Sequence, residues 1–393
     1  MNSIELFAGA GGLGLGIEKA GFEHSVVIER DPDACATVRF NFSRPQPGHS
    51  FWPLHEIDVR DFDFSSFQDK VELVSGGPPC QPFSIGGSHR GFNDSRDMFP
   101  EAARVVRLVR PKAFIFENVR GLLRRSFAKY FEYVILQLTY PEIDAAKAED
   151  WTEHLDRLER HHTKGQYRGL HYRVAFRLVN AADYGVPQKR ERVVIVGFRS
   201  DIGEHWSFPP ATHSEDALLF SKWITHDYWD NHSISRKNRP PMTIELARRT
   251  INIAESSRIR RWQTVRDAIA DLPSPAVAER AKILNHRFQP GARVYPGHTG
   301  SPLDFPAKTL KAGNHGVPGG ENMLALLDGS VRYFTVRESA RLQTFPDWFA
   351  FPCSWTESMR QIGNAVPVRL SEIIAKSVAD ILAKHQGRIR TGR

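Results

Sequence analysis

Cysteine is scarce in this chain, with only Cys35, Cys80 and Cys353 among 393 residues. Three scattered thiols cannot build a disulfide framework, and no CxxC pair is present to hold zinc, so no metal site is expected. No apolar run reaches the ~18 residues that a bilayer crossing needs, which argues against a membrane span. A basic segment followed by an apolar one is missing at the start, so no signal peptide is read and a cytoplasmic location is expected. Internal repeats and low-complexity tracts are absent as well. Neither sign of charge dominates, the formal net charge being +8.

Hydrophobic residues make up 41% and charged residues 25%, which is ordinary for a globular chain. The length suits one large α/β domain and a smaller one. The charge is unevenly spread: residues 221–300 carry 14 Lys and Arg against 7 Asp and Glu. That stretch also holds Trp223, Tyr228, Trp229 and Trp262, a mixture that suits a polyanion or a solvated basic face.

Strand-like runs at 3–7, 24–29, 71–75 and 113–117 alternate with helical segments, beginning with 13–20. This rhythm indicates parallel βαβ units. Runs at 172–180 and 192–199 read as later strands of the same sheet, the second buried on both faces. Residues 140–170 are charged and histidine-containing, and read as an inserted helix with a mobile connection. From about 200 to 306 the βα rhythm gives way to proline, glycine, aromatic and basic residues, which indicates a second domain of irregular structure. The α/β character returns near 335. An amphipathic helix is predicted from 368 to about 385, with Leu370, Ile373, Ile374, Val378, Ile381 and Leu382 on one stripe and an arginine-rich tail expected to fray.

Two segments carry chemistry. The first places Gly9, Gly11 and Gly14 in a G-x-G-x-x-G pattern between a strand and a helix. Glycines there let the backbone turn sharply and approach a ligand. Glu29, at the end of the next strand, is placed to accept hydrogen bonds from ribose hydroxyls. By itself this pattern fits NAD as well as S-adenosylmethionine. Asp58, in the run IDVRD, is placed to reach an adenine edge, or is a surface loop acid. The second segment is GGPPCQPFS at 76–84, directly after a strand. Its prolines stiffen a loop at the carboxyl end of the sheet, where open α/β folds bind ligands. Cys80 is then a candidate nucleophile, given positive charge nearby to favour its thiolate.

FAGAGGLGLG at 7–16 together with GGPPCQPFS resembles the DNA (cytosine-5) methyltransferase family. Further blocks follow in the family's order: FENV at 116–119, VPQKRER at 186–192, RESARLQTFP at 337–346 and GNAVP at 363–367. The resemblance implies an α/β, Rossmann-like methyltransferase sheet with a second, smaller and irregular target-recognition domain. The expected boundaries are 1–200 for the catalytic and cofactor domain, 201–330 for target recognition and 331–393 for a return to the first.

The resemblance also implies a mechanism. Cys80 adds to C6 of cytosine, and a protonated Glu117 hydrogen-bonds N3 and the exocyclic amine. Arg192 donates to O2, Arg190 supports the active-site loop and Gln188 orients it. S-adenosylmethionine falls to Phe7, Gly9, Gly11, Leu13, Glu29, Asp58, Val59, Pro79 and Asn364. The base must leave the helix, so the partner is double-stranded DNA with a flipped cytosine. Ser84, Ile85 and Gly86-Gly87-Ser88 close over the base, while His89, Arg90 and Arg96 meet phosphates. Sequence specificity falls to about 200–330, with the glycine-rich 312–322 lining the DNA cleft. A monomer without obligate protein partners, of bacterial restriction–modification type, is expected. A tRNA cytosine-5 methyltransferase of the same architecture is the alternative. A silent homologue would have lost Cys80, Glu117 or the arginines, and all are present.

Overall fold

A computed structural model describes residues 1–43, 49–79, 97–147, 149–250, 253, 259–277, 282–295, 299–312 and 322–391. The chain divides into two units. The first comprises Met1–Val179, Glu191–Pro209 and Asn364–Arg393, the second Asn180–Arg190 and Pro210–Gly363. The expected boundaries lay at 200 and 330; those found place 331–363 with the second unit.

The first unit is built on a sheet of β1 (Asn2–Leu6), β2 (Glu23–Glu29), β3 (Leu54–Glu56), β4 (Leu73–Gly76), β5 (Ala113–Val119), β6 (Tyr172–Asn180) and β7 (Glu191–Arg199). Their order is β3-β2-β1-β4-β5-β7-β6. The pairings from β3 through β5 are parallel, and β7 runs antiparallel to β5. The order reverses between β1 and β4, so the switch point that binds ligands in open α/β sheets lies at the carboxyl ends of these two strands. Helices α1 (Gly12–Lys19), α2 (Pro32–Phe42), α3 (Phe99–Val109), α4 (Ala128–Thr139) and α5 (Trp151–Lys164) lie along the chain between the strands.

The pleat of β1 explains its two environments. Ile4 and Leu6 join a core with Phe99, Ala102, Val105, Val106 and Val109, the apolar stripe of α3. Burying each of the larger side chains contributes roughly 1.5–3 kcal/mol. Ser3 and Glu5 alternate to the opposite face. There Ser3 meets His24 Nδ1 at 2.9 Å, and His24 Nε2 reaches the carbonyl of Gly14 in α1 at 3.0 Å. Burial lowers the His24 pKa to about 4, so this contact is made by a neutral ring.

The C-terminal helix Val368–Thr391 lies against α1. Ser371 donates its hydroxyl to Leu13 O at 2.6 Å. A Cβ at Gly16 would fall 2.4 Å from the Ser371 Cβ, so close packing of the two helices depends on that glycine. Leu370, Ile374, Val378, Ile381 and Leu382 of the expected stripe are buried, and Ile373 is half-buried. Helical backbone continues through the arginine-rich tail to Thr391. Helix α5 fills the inserted segment. Asp150 and Glu153 form a capping box at its start, and buried His154 bonds Tyr133 at 3.0 Å and the Ile143 carbonyl at 2.7 Å.

The second unit holds short helices and strands, as its composition indicates. The four aromatics singled out there, Trp223, Tyr228, Trp229 and Trp262, do not face a polyanion. Tyr228 and Trp229 are wholly buried, Trp262 nearly so, and Trp223 packs half-buried against them. Lys222 is sealed among them with its ammonium 3.7 Å from the ring centre of Phe305, and burial lowers its pKa to about 7. These rings form a local core with Leu218 and Phe305.

Candidate active site

β1 ends at Leu6 and the backbone turns at once, with φ of +55° at Phe7, +54° at Gly9 and +86° at Gly11. The Gly11 N–H donates to Ala8 O at 2.8 Å, and the Leu15 N–H donates to Gly11 O at 2.8 Å, leading the loop into α1. Trp52, which sequence reading passed over, backs the loop. Its ring stacks on Phe42 at 3.8 Å, and Cβ atoms at Gly11 and Gly14 would come within 2.8 and 2.9 Å of it. Gly9 differs, since nothing lies within 4 Å of a Cβ built there. Its side of the loop is open to a ligand.

Glu29 closes β2 with its carboxylate fixed by main-chain donors. Oε2 accepts the Gly9 N–H at 2.7 Å, and Oε1 accepts the N–H groups of Arg30 and Asp31, both at 2.8 Å. Oε2 keeps a lone pair for a further hydroxyl. Asp58 is engaged differently. Arg60 grips it through Nε at 2.8 Å and Nη2 at 2.7 Å, and Arg30 Nη1 lies at 3.0 Å. The Arg60 hydrogen bond, opposed by partial burial, holds this carboxyl well below the usual carboxylate range. Neither arginine was singled out in the sequence. Val59 is buried beside them.

Around the second segment, Asn118 Nδ2 donates to Pro78 O at 2.9 Å, and the Met98 N–H donates to Pro79 O at 3.1 Å. Asn118 is a positioning group that sequence reading left unassigned, although the ENV block contains it. Glu117, in β5, lies close to Gly77, where a Cβ would sit 3.4 Å from Glu117 Oε2. Arg192, at the start of antiparallel β7, places Nε 2.7 Å from Glu117 Oε1. Both side chains are about nine-tenths buried. Burial pulls the Arg192 guanidinium down from its ordinary range, and the Glu117 charge opposes that. The structure therefore joins two of the expected catalytic residues directly. Cys80, Ser84, Ile85, Gly86, Gly87, Ser88, His89, Arg90 and Arg96 lie outside the described residues, as do 313–321 of the glycine-rich segment.

Arg190 belongs to the second unit. It is wholly buried and donates to two main-chain carbonyls, Leu310 at 3.0 Å and Gly363 at 2.6 Å. Gln188 is buried too, accepting from Leu310 N at 3.0 Å and donating to Leu342 O at 3.3 Å. Both side chains bind backbone of the later sequence blocks. Asn364 is exposed at the end of the helix Trp355–Asn364.

Comparison with known proteins decides the family. The sequence profile described as C-5 cytosine-specific DNA methylase matches residues 1–140 and 153–380. The chain belongs to that family. This methylase is 30% identical over 388 residues to the type II methyltransferase M.NgoMIV of Neisseria gonorrhoeae, covering 97% of this chain and 98% of the relative. It is 32% identical over 376 residues to M.AplI of Arthrospira platensis, covering 95% and 84%. Among solved structures, Dnmt2 methyltransferase of S. pombe superposes with a TM-score of 0.53 at 16% identity, covering 98% of this chain and 99% of that one. Methyltransferase EhMeth of Entamoeba histolytica gives 0.54 at 14% identity, covering 97% and 98%. These structural likenesses carry the fold. Among the described residues, no helix is long and apolar enough to cross a membrane.

Proposed function

We propose that this methylase transfers a methyl group to C5 of a flipped cytosine in double-stranded DNA, with Cys80 as nucleophile and S-adenosylmethionine as donor. The observation that carries the residue assignment is the buried Glu117–Arg192 pair, beside the Gly77–Pro79 run that leads into Cys80. The open flank at Gly9 and the fixed carboxylate of Glu29 fit the cofactor's nucleoside, with Phe7, Gly11, Leu13, Val59, Pro79 and Asn364 completing the site. When bound, S-adenosylmethionine supplies an electrophilic methyl group. Asp58 would hold the adenine amine of the bound cofactor.

The chain's own residues prepare the base. The Cys80 thiolate adds to C6, which loads electron density onto C5. Glu117, the charged partner of Arg192 in the free protein, takes up a proton from water as the base enters, bonds N3 and the exocyclic amine, and neutralises N3 as charge arrives there. Arg192 donates to O2, a role that suits a permanently charged planar donor. Once C5 is methylated, water removes the C5 proton and Cys80 leaves by elimination. Arg190 and Gln188 act through the backbone they hold. On the second unit, exposed Arg236, Lys237, Arg287 and Arg293, with exposed Phe288 and Tyr295, supply phosphate contacts and base-edge readout. The enzyme acts as a monomer and protects DNA from a cognate endonuclease.

The test is incubation of unmethylated genomic DNA with labelled S-adenosylmethionine, beside a Cys80→Ser variant, followed by bisulfite mapping. C5-methylcytosine in one short motif, only with Cys80 intact, is the expected result. Unmodified DNA with methylated tRNA would replace the substrate assignment.

A further inference from the structure

Glu5 is a buried acid that the reaction scheme does not use. It stands in β1 at 1% exposure, and its Oε2 meets the hydroxyl of Ser75 in β4, itself fully buried. The two residues are register partners, and Leu6 and Gly76 follow as the next pair. That next step is tight, because a Cβ at Gly76 would lie 2.6 Å from Leu6 O. Beyond Leu6 begins the cofactor loop. Beyond Gly76 runs the segment whose Pro78 and Pro79 carbonyls are held by Asn118 and Met98. Glu5 and Ser75 therefore tie together the two strands that border the switch point, one residue before each ends.

The Ser75 hydroxyl has one proton but faces two acceptors, Glu5 Oε2 and, at 3.3 Å, Ile4 O. A protonated Glu5 supplies the missing donor: the acid gives its proton to Ser75 Oγ, and Ser75 gives its own to Ile4 O. Among the described residues Glu5 Oε1 has no hydrogen-bond partner, an arrangement costly for a full charge. We propose that Glu5 is a positioning residue for methyl transfer, fixing through Ser75 the strand that opens the cofactor loop against the strand that leads to Cys80.

Burial supports the neutral acid, pushing its pKa up to about 8 with only the Ser75 bond opposing. Among the described residues no charged side chain acts on it, and His24 on the same sheet face is itself neutral. Ionisation puts an uncompensated charge between the strands and disturbs their register.

The proposal rests on the catalytic reading of Cys80. Its test is the pH profile of the single-turnover rate, with saturating DNA and S-adenosylmethionine, for the native enzyme, Glu5→Gln, Glu5→Ala and Cys80→Ser. The native rate is expected to fall roughly tenfold per pH unit above about 8. Glu5→Gln, which keeps the shape and a donor, loses that falling limb. Glu5→Ala lowers the rate by roughly 10- to 100-fold at neutral pH while the KM for DNA stays unchanged. A falling limb retained in Glu5→Gln, or a full rate in Glu5→Ala, overturns the proposal; should Glu5→Ala fail to fold, the Gln profile decides. Transfer by Cys80→Ser overturns the nucleophile reading instead, and the Glu5→Gln comparison still stands on its own limb.

Discussion

Alanine at Gly9, Gly11 and Gly21 separates three roles of glycine: the open flank of the cofactor loop, its packed side, and the turn that follows α1. All three residues have positive φ, at +54°, +86° and +96°, so each alanine strains the backbone by ~1–2 kcal/mol. At Gly9 and Gly21 nothing lies within 4 Å of the new Cβ, and strain is the whole cost. At Gly11 the Cβ would sit 2.8 Å from Trp52, whose ring is 2% exposed and stacked on Phe42. Overpacking adds ~1–3 kcal/mol there, giving about 2–5 kcal/mol in all. Strain shared by the free and bound protein cancels from affinity, so Gly21→Ala destabilises without changing the Kd for S-adenosylmethionine. Gly9→Ala adds a methyl on the open flank of the loop and is expected to raise that Kd about tenfold or more, ~1.4 kcal/mol. Urea unfolding gives the stabilities and titration calorimetry the affinities. A Gly9→Ala protein that is destabilised like Gly21→Ala yet binds as tightly as the native chain would refute the cofactor reading of this loop.

Other residues make separate predictions. Arg192→Ala strands the buried Glu117 charge and is expected to cost ~3–5 kcal/mol in unfolding measurements, while Glu117→Gln folds but slows single-turnover transfer by roughly 10²- to 10⁴-fold. Asn118→Ala frees the Pro78 carbonyl, costing ~1–2 kcal/mol, and lowers the transfer rate with cofactor affinity unchanged in calorimetry. For Glu5, a folded pKa of about 8 against 4.5 unfolded means that the stability it adds is fully present below pH 4.5 and is lost as pH rises to 8. Glu5→Gln removes that loss, so its unfolding free energy relative to the native chain rises by ~1.4 kcal/mol per pH unit across that interval, measured by urea titration.

The strands that carry the site were legible because their apolar runs are followed by punctuating glycines, as Leu6–Phe7 is by Gly9 and Leu73–Val74 by Gly76–Gly77. β3 was missed: three residues reading Leu-His-Glu carry no apolar pattern, and only pairing with β2 makes them a strand. The antiparallel direction of β7 was equally invisible, since a strand buried on both faces reads the same either way. The placement of Glu29 and Glu117 in β2 and β5 could be anticipated from the apolar runs that hold them. Long-range partners could not: Trp52 behind Gly11, Arg30 on Asp58, and Ser75 on Glu5 are brought in by folding. The buried aromatics of the second unit show the same limit, because Trp229 in a basic stretch reads alike whether it faces DNA or a core.

The central claim is a covalent bond from Cys80 to the target base, and trapping that bond tests it most directly. On duplex DNA with fluorine at C5 of cytosine, no C5 proton remains to be removed, so elimination fails and the adduct should persist. With S-adenosylmethionine present, a denaturation-resistant protein–DNA complex is expected, and peptide mass analysis should place the nucleotide on Cys80. An adduct on Cys35 or Cys353, or methylation of ordinary DNA with no adduct trapped on the fluorinated duplex, would contradict the account.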